Sequence, residues 1–179
     1  MANVILGLLL IAPQSYYGLV KGFEAGVALF YSASSGSIKR ALDNLLAKGL
    51  IEVESAETRG RGKKIYGVTE AGRDEFRTWM TGELGGSDLE MTVLSRLYFL
   101  GLLDPSERVP LLRRIEARIE ADLVRFSQLD KQLDTVDIPE GLNDVAVHQR
   151  ATLDYGIASL RFTLDWFAAY VEHQERAAD

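Results

Sequence analysis

Seven Lys and Arg side chains fall between positions 35 and 64, against four carboxylates, and they carry most of the chemistry this sequence offers. Lys39, Arg40 and Lys48 lie in a segment whose apolar Ile38, Ala41, Leu42, Leu45 and Leu46 recur at three-four spacing, the mark of a helix with one buried face. That period places Ser37, Arg40 and Asn44 on another face, with Lys39 and Lys48 beside it. A helix of this kind fits the major groove of DNA, where such donors reach base edges and phosphates. Asp43 on the same helix opposes that use unless it accepts from a cytosine or pairs with Lys39. A solvated amphipathic helix is the plain alternative. Shortly downstream, Arg59, Arg61, Lys63 and Lys64 are set among Gly60 and Gly62. Four cations with two glycines make a slim, charged turn suited to phosphates or a minor groove, although any charged hairpin turn would read alike. Spaced as a recognition helix and a wing, the two features together point to double-stranded DNA as the partner.

Other chemistries lack their residues. There is no cysteine, which excludes disulfides, thiolate metal sites and thiol nucleophiles. The glycines of the 59–64 turn do not have the spacing of a phosphate-binding loop, and no apolar strand leads through them into a helix. His148 and His173 are the only histidines, too far apart on one helix to chelate a metal from a single face. No catalytic constellation, metal or cofactor is expected, and the chain does not read as an enzyme. Tyr98, Phe99, Tyr155, Phe162, Trp166, Phe167 and Tyr170 concentrate in the second half. They suit core or dimer packing, with a pocket for an aromatic effector as the alternative.

These residues need a framework. The apolar run 4–11, ended by Ala12-Pro13, reads as a short buried helix. Ser15 caps a second helix over about 16–27, on which Gly18, Gly22 and Gly26 form a stripe that lets another helix approach. The serines at 34, 35 and 37 cap the basic helix, expected from Ser37 to Lys48 and stopped by Gly49. Strands follow at 50–54 and 64–68, and Thr69 caps a helix over 70–81. Helices, hairpin and helix in that order make a winged helix-turn-helix. Gly85-Gly86, within 82–87, marks the domain junction, giving a DNA-binding domain at 1–82 and an α-helical dimerisation domain at 88–179. The second domain holds a segment at 90–103, a long helix from Pro105 to about 135, and a last helix opened by Pro139. Leu153, Ile157, Leu160, Leu164, Phe167 and Val171 on the last helix form a heptad-like seam that calls for a partner chain. The fold class is mostly α with a small β-hairpin wing.

The formal charge is −6, yet it is segregated. Residues 1–80 hold ten Lys and Arg against eight Asp and Glu, while 81–179 hold ten against eighteen. DNA binding depends on the local face rather than the total, and the acidic half should lie away from DNA. The first apolar run is too short to span a bilayer and has no cationic start, so a cytoplasmic protein without membrane attachment is expected.

Specific motifs bear on family. Ile5-Leu6-Gly7-Leu8-Leu9, Ser15-Tyr16-Tyr17-Gly18-Leu19 and Ser35-Gly36-Ser37-Ile38-Lys39-Arg40-Ala41-Leu42 resemble the PadR family of transcription regulators. Lys48-Gly49-Leu50-Ile51 and Tyr66-Gly67-Val68-Thr69-Glu70-Ala71-Gly72-Arg73, with Trp79, are similar to its later segments. Leu97-Tyr98-Phe99-Leu100-Gly101, Pro105-Ser106-Glu107 and the Tyr155-Gly156 to Trp166 stretch resemble the longer, AphA-like branch, so the similarity covers essentially the whole chain. The resemblance implies a homodimeric regulator, usually a repressor, on an inverted-repeat operator, with the C-terminal helices forming most of the interface and a small molecule as effector. Tyr17, Ser35, Ser37, Lys39, Arg40, Asn44, Lys48, Arg59, Arg61, Lys63 and Lys64 form the expected DNA-binding set. Where relatives carry Tyr then Pro on the recognition helix, this chain has Lys39 and Arg40. The reading from another class is a winged-helix protein-interaction module without sequence-specific DNA binding.

Overall fold

The computed structural model describes residues 1–56, 64–86 and 88–178. It divides into two compact units, Met1–Asp104 and Pro105–Asp179. The first is built around α1 (Ala2–Ile11), where Val4, Ile5, Leu6, Leu8 and Leu9 are all buried. A helix apolar on every side belongs in the middle of a core. Gly7 is part of the reason it fits there: a Cβ at this position would lie 2.6 Å from the ring of Phe99, which is itself 1 % exposed. Ala12 turns extended before Pro13, and the Gln14 side chain donates through Nε2 to the Leu8 carbonyl at 3.1 Å.

Gln14–Ser15 then forms a short strand, β1, which the sequence did not announce because two residues carry no period of their own. Ser15 accepts from the Gly18 amide at 3.2 Å and so caps α2 (Tyr16–Ala25). This helix buries Leu19 and Phe23 and stops at Gly26, before a 3-10 turn at Val27–Leu29. Its small-residue stripe serves soluble packing. A Cβ at Gly22 would come into van der Waals contact with Leu8 of α1, and one at Gly26 would clash with the hydroxyl of Tyr98.

After α3 (Ser35–Ala47) come β2 (Ile51–Ala56) and β3 (Lys64–Val68), and the sheet order is β1-β3-β2, all antiparallel. The β2–β3 register is interrupted between Val53 and Ser55. There the Glu54 carboxylate occupies the space a side chain at Gly67 would need. Thr69 caps α4 (Glu70–Thr81), whose Phe76 and Met80 are buried. Asp88 accepts from the Met91 amide to start α5 (Leu89–Tyr98).

The helix expected over 90–103 ends at Tyr98 and is followed by a 3-10 turn at Leu100–Leu102. Packing assigns α5 to the first unit. Arg96, 3 % exposed, donates to the carbonyls of Trp79 and Glu83 at 3.1 and 3.0 Å, and its guanidinium lies 4.9 Å from the Trp79 ring. Phe99 meets Phe76 edge-on at 5.8 Å. The compact units therefore part at Asp104, later than the junction that the glycines within 82–87 suggest.

The second unit is an antiparallel pair, α6 (Pro105–Leu133) and α7 (Asn143–Ala178). Ion pairs tie both ends. Arg113 near the start of α6 holds Glu175 near the end of α7 in a forked contact at 2.8–3.1 Å. Arg150 near the start of α7 reaches Asp130 at 2.9 Å and Asp134 at 2.7 Å. Leu112, Ile115 and Ile119 are buried on α6, and Ile157, Phe167 and Val171 on α7. Towards the turn the seam opens, and Leu129 and Leu133 are exposed. Pro139 starts a turn (its carbonyl accepts from Leu142) rather than the helix itself. No described helix is long and apolar enough to cross a membrane.

Candidate nucleic-acid interface

The basic helix is positioned at both of its ends. Ser34, rather than Ser37, is the cap of α3, accepting from the Ser37 amide at 3.2 Å. The Ser37 hydroxyl is engaged in the same turn, donating to the Ser34 carbonyl at 2.7 Å. The helix thus starts two residues earlier than expected, and its free amides lie around Ser35 and Gly36, where the helix dipole favours anions. The Tyr16 hydroxyl donates to the Ser35 carbonyl at 3.0 Å, which brings the N-termini of α2 and α3 together. Tyr17, one residue on, is 68 % exposed, with the Lys21 ammonium 5.7 Å from its ring.

At the other end Gly49 adopts φ +68, the left-handed conformation that glycine favours. The Gly49 amide donates to Leu46 and the Leu50 amide to Leu45, both at 3.0 Å, which closes the helix in a Schellman arrangement. Thr69 then locks that end to the rest of the unit. Its hydroxyl donates to the Gly49 carbonyl at 2.7 Å and accepts from the Gly72 amide at 3.2 Å, while its own amide donates to Leu50.

Ile38, Leu42 and Leu45 hold α3 to the core. On the outer side Lys39, Arg40, Asp43, Asn44 and Lys48 are exposed. Lys39 and Asp43 form an ion pair one turn apart, and the hydrogen bond to Asp43 raises the Lys39 pKa. Among the described residues Arg40 has no ion-pair partner. Of the wing cations, Arg59, Arg61 and Lys63 lie outside the described residues. Lys64 opens β3, is exposed, and lines a groove with Tyr16, Tyr17 and Gly18. The structure thus places Tyr17, Ser35 and Lys64 at the starts of α2, α3 and β3 and spreads Arg40, Asn44 and Lys48 along α3. The sequence gives no site role to Tyr16, whose phenol joins α2 to α3, and it groups Ser34 with two other serines as a cap without separating it from them.

The aromatic set separates. Phe99 is a core residue of the first unit, while Tyr98 is 44 % exposed and 5.5 Å from Phe30. In the second unit Phe167 is 1 % exposed and packs edge-on against Trp166 at 5.1 Å. Tyr155, Phe162 and Trp166 form an exposed stripe on α7. Among the described residues no group of His, Asp and Glu could hold a metal ion.

A capped helix presented next to a three-stranded antiparallel sheet with a basic connection defines a winged helix-turn-helix, the fold of a DNA-reading unit. Residues 5–78 match the family model described as the transcriptional regulator PadR-like family, and residues 92–173 match the one described as virulence activator alpha C-term. The chain thus carries a domain of the PadR-like family of transcriptional regulators, followed by C-terminal helices of the virulence-activator type. It is a regulator and not an enzyme. Among solved structures it is similar to Bacillus subtilis PadR in complex with operator DNA (20 % identity, 96 % of each chain, TM-score 0.45). It is also similar to a PadR-like transcriptional regulator from Bacillus cereus (25 % identity, 97 % of this chain and 94 % of that one, TM-score 0.43). The Vibrio cholerae virulence activator AphA is a further match (17 % identity, 99 % of each chain, TM-score 0.40). No curated protein matches the chain at a significant level.

Proposed function

We propose that this regulator is a homodimeric, cytoplasmic repressor that binds an inverted-repeat operator in double-stranded DNA through α3 and the 59–64 wing. The observation that carries the reading is the outer face of α3, where Arg40, Asn44 and Lys48 stand exposed on a helix fixed at both ends. Tyr17, Ser35 and Lys64 extend that face to the starts of α2 and β3. Ser37 supports it from inside the first turn. Arg59, Arg61 and Lys63 complete it as backbone or minor-groove contacts. In functional terms residues 1–82 read DNA and 88–179 carry dimerisation, with α5 packed on the reading unit.

Dimerisation is supported by the α7 stripe. Tyr155 is 77 % and Phe162 71 % exposed, more apolar aromatic surface than one helix leaves to water without a reason. Two such stripes, one from each copy, would bury each other and set two reading helices about one turn of DNA apart. A small effector, aromatic in class, acting on the second unit would release the complex. Fluorescence anisotropy with duplexes flanking the protein's own coding region tests the reading. Salt-dependent, saturable binding supports it, and equal affinity for every duplex would favour the interaction-module alternative. A promoter fusion read with and without the protein gives the sign of regulation, and a thermal-shift screen of aromatic acids tests the effector.

A further inference from the structure

The outer face of α3 offers three charged groups in one turn, and they are not equivalent. Helical phase puts Gly36, Arg40, Asp43 and Ala47 along the line farthest from the buried Ile38, Leu42 and Leu45, with Lys39 and Asn44 to either side. A Cβ at Gly36 would meet nothing within 4 Å, so the surface beside Arg40 is open. Arg40 has no ion-pair partner among the described residues, whereas Lys39 is engaged with Oδ1 of Asp43. A carboxylate on the line nearest DNA costs affinity unless it is neutralised or meets a donor. The ion pair neutralises it and leaves Oδ2 able to accept.

Building on the reading of α3 as the DNA-contacting helix, we infer that Arg40 is its base-reading cation and takes a guanine, that Asp43 accepts from the exocyclic amine of a cytosine on the next base pair, and that Lys39 is the counter-ion of Asp43 rather than a DNA contact. Arg matches guanine O6 and N7 in a forked contact, and carboxylates are the side chains that accept from cytosine N4 in the major groove. The spacing agrees. Residues three apart on a helix are separated by about 4.5 Å along its axis, close to one base-pair step of about 3.4 Å. Each half-site should therefore contain two adjacent G·C pairs at the position α3 reaches.

The test is a selection on the wild-type protein from a pool of randomised duplexes, followed by competition with single-base variants of the selected duplex. The expected result is a fixed G·C pair whose replacement by A·T weakens wild-type binding roughly 5- to 150-fold. R40A should be nearly indifferent to that replacement while still preferring the remaining positions. D43A should lose preference at the adjacent pair only. K39A should weaken binding to every duplex alike, and adding D43A should restore it, because the pair is removed together. All three side chains are exposed, and unchanged thermal melts would confirm that the variants fold. A selected site without G·C at this position, an R40A variant with wild-type discrimination, or a K39A/D43A pair whose losses add would each overturn the assignment. Failure of the wild type to enrich any duplex would instead remove the DNA-binding reading on which it rests.

Discussion

Replacing Thr69 by valine exchanges one hydroxyl for a methyl at nearly constant shape, and that hydroxyl joins the end of α3 to the start of α4. It accepts from the Gly72 amide at 3.2 Å as a helix cap and donates to the Gly49 carbonyl at 2.7 Å. Loss of the cap costs about 1 kcal/mol, within a range of about 0.5–2. Loss of the second bond costs about another 1 kcal/mol, reduced where water can reach the exposed Gly49 carbonyl. The amide of residue 69 would still donate to Leu50, so the chain path is retained. The sum is about 1–2 kcal/mol, and at ~4 °C per kcal/mol for a unit of this size the melting midpoint should fall by about 4–8 °C. Thr69→Ser keeps the hydroxyl and should melt close to the wild type. Circular-dichroism melts of the two variants beside the wild type decide the matter. If the valine and serine variants melt together, the hydroxyl is not what holds α3 to α4 and the reasoning fails.

Three further outcomes can be checked. Gly7→Ala should destabilise by about 1–3 kcal/mol through overpacking against Phe99, and Phe99→Leu in the same chain should recover part of it, as read by denaturant midpoints. Phe162→Glu, at a position 71 % exposed, should leave the melt of the helical pair intact yet yield a monomer by sedimentation at micromolar concentration; an unchanged dimer would move the interface elsewhere. Changing Arg59, Arg61 and Lys63 together to alanine should weaken binding on all sequences and lower the slope of log affinity against log salt by about 0.9 for each phosphate no longer neutralised.

The parts of this fold that were legible in the sequence are those with a repeating pattern or a cap. The buried face of α3, the Ser15 and Thr69 caps and the seam of α7 all follow from residue type and spacing, because burial repeats every three or four positions. What escaped depends on contacts between distant positions. The strand at Gln14–Ser15 exists only because β3 offers it an edge, and α5 joins the first unit because the buried Arg96 finds carbonyls of Trp79 and Glu83. The seam of α7 reads, in sequence, as a demand for a partner chain, and α6 in fact covers much of it: Ile157, Phe167 and Val171 are buried. The surplus apolar surface lies on a second stripe that a single-face reading did not separate out. In the interface, the residue types of α3 were readable, but the pairing of Lys39 with Asp43 was only one of two options until the helix was in place.

The irregularity in β2 bears on how this protein can vary. Side chains of a strand alternate between faces, so one extra residue would reverse the facing of every position beyond it unless a bulge absorbs it. Val53 pairs with Tyr66 and Ser55 with Ile65, which leaves Glu54 as the added residue, its carboxylate resting over Gly67. Deleting Glu54 would give a regular ladder in which Ser55 still meets Ile65 and Ala56 still meets Lys64, so the facing of both strands is kept and only the local bend and extra twist are lost. Single-residue deletion at position 54 should therefore leave the pairing of the hairpin and the melt of the first unit largely intact, a tolerance that the deletion variant would expose directly.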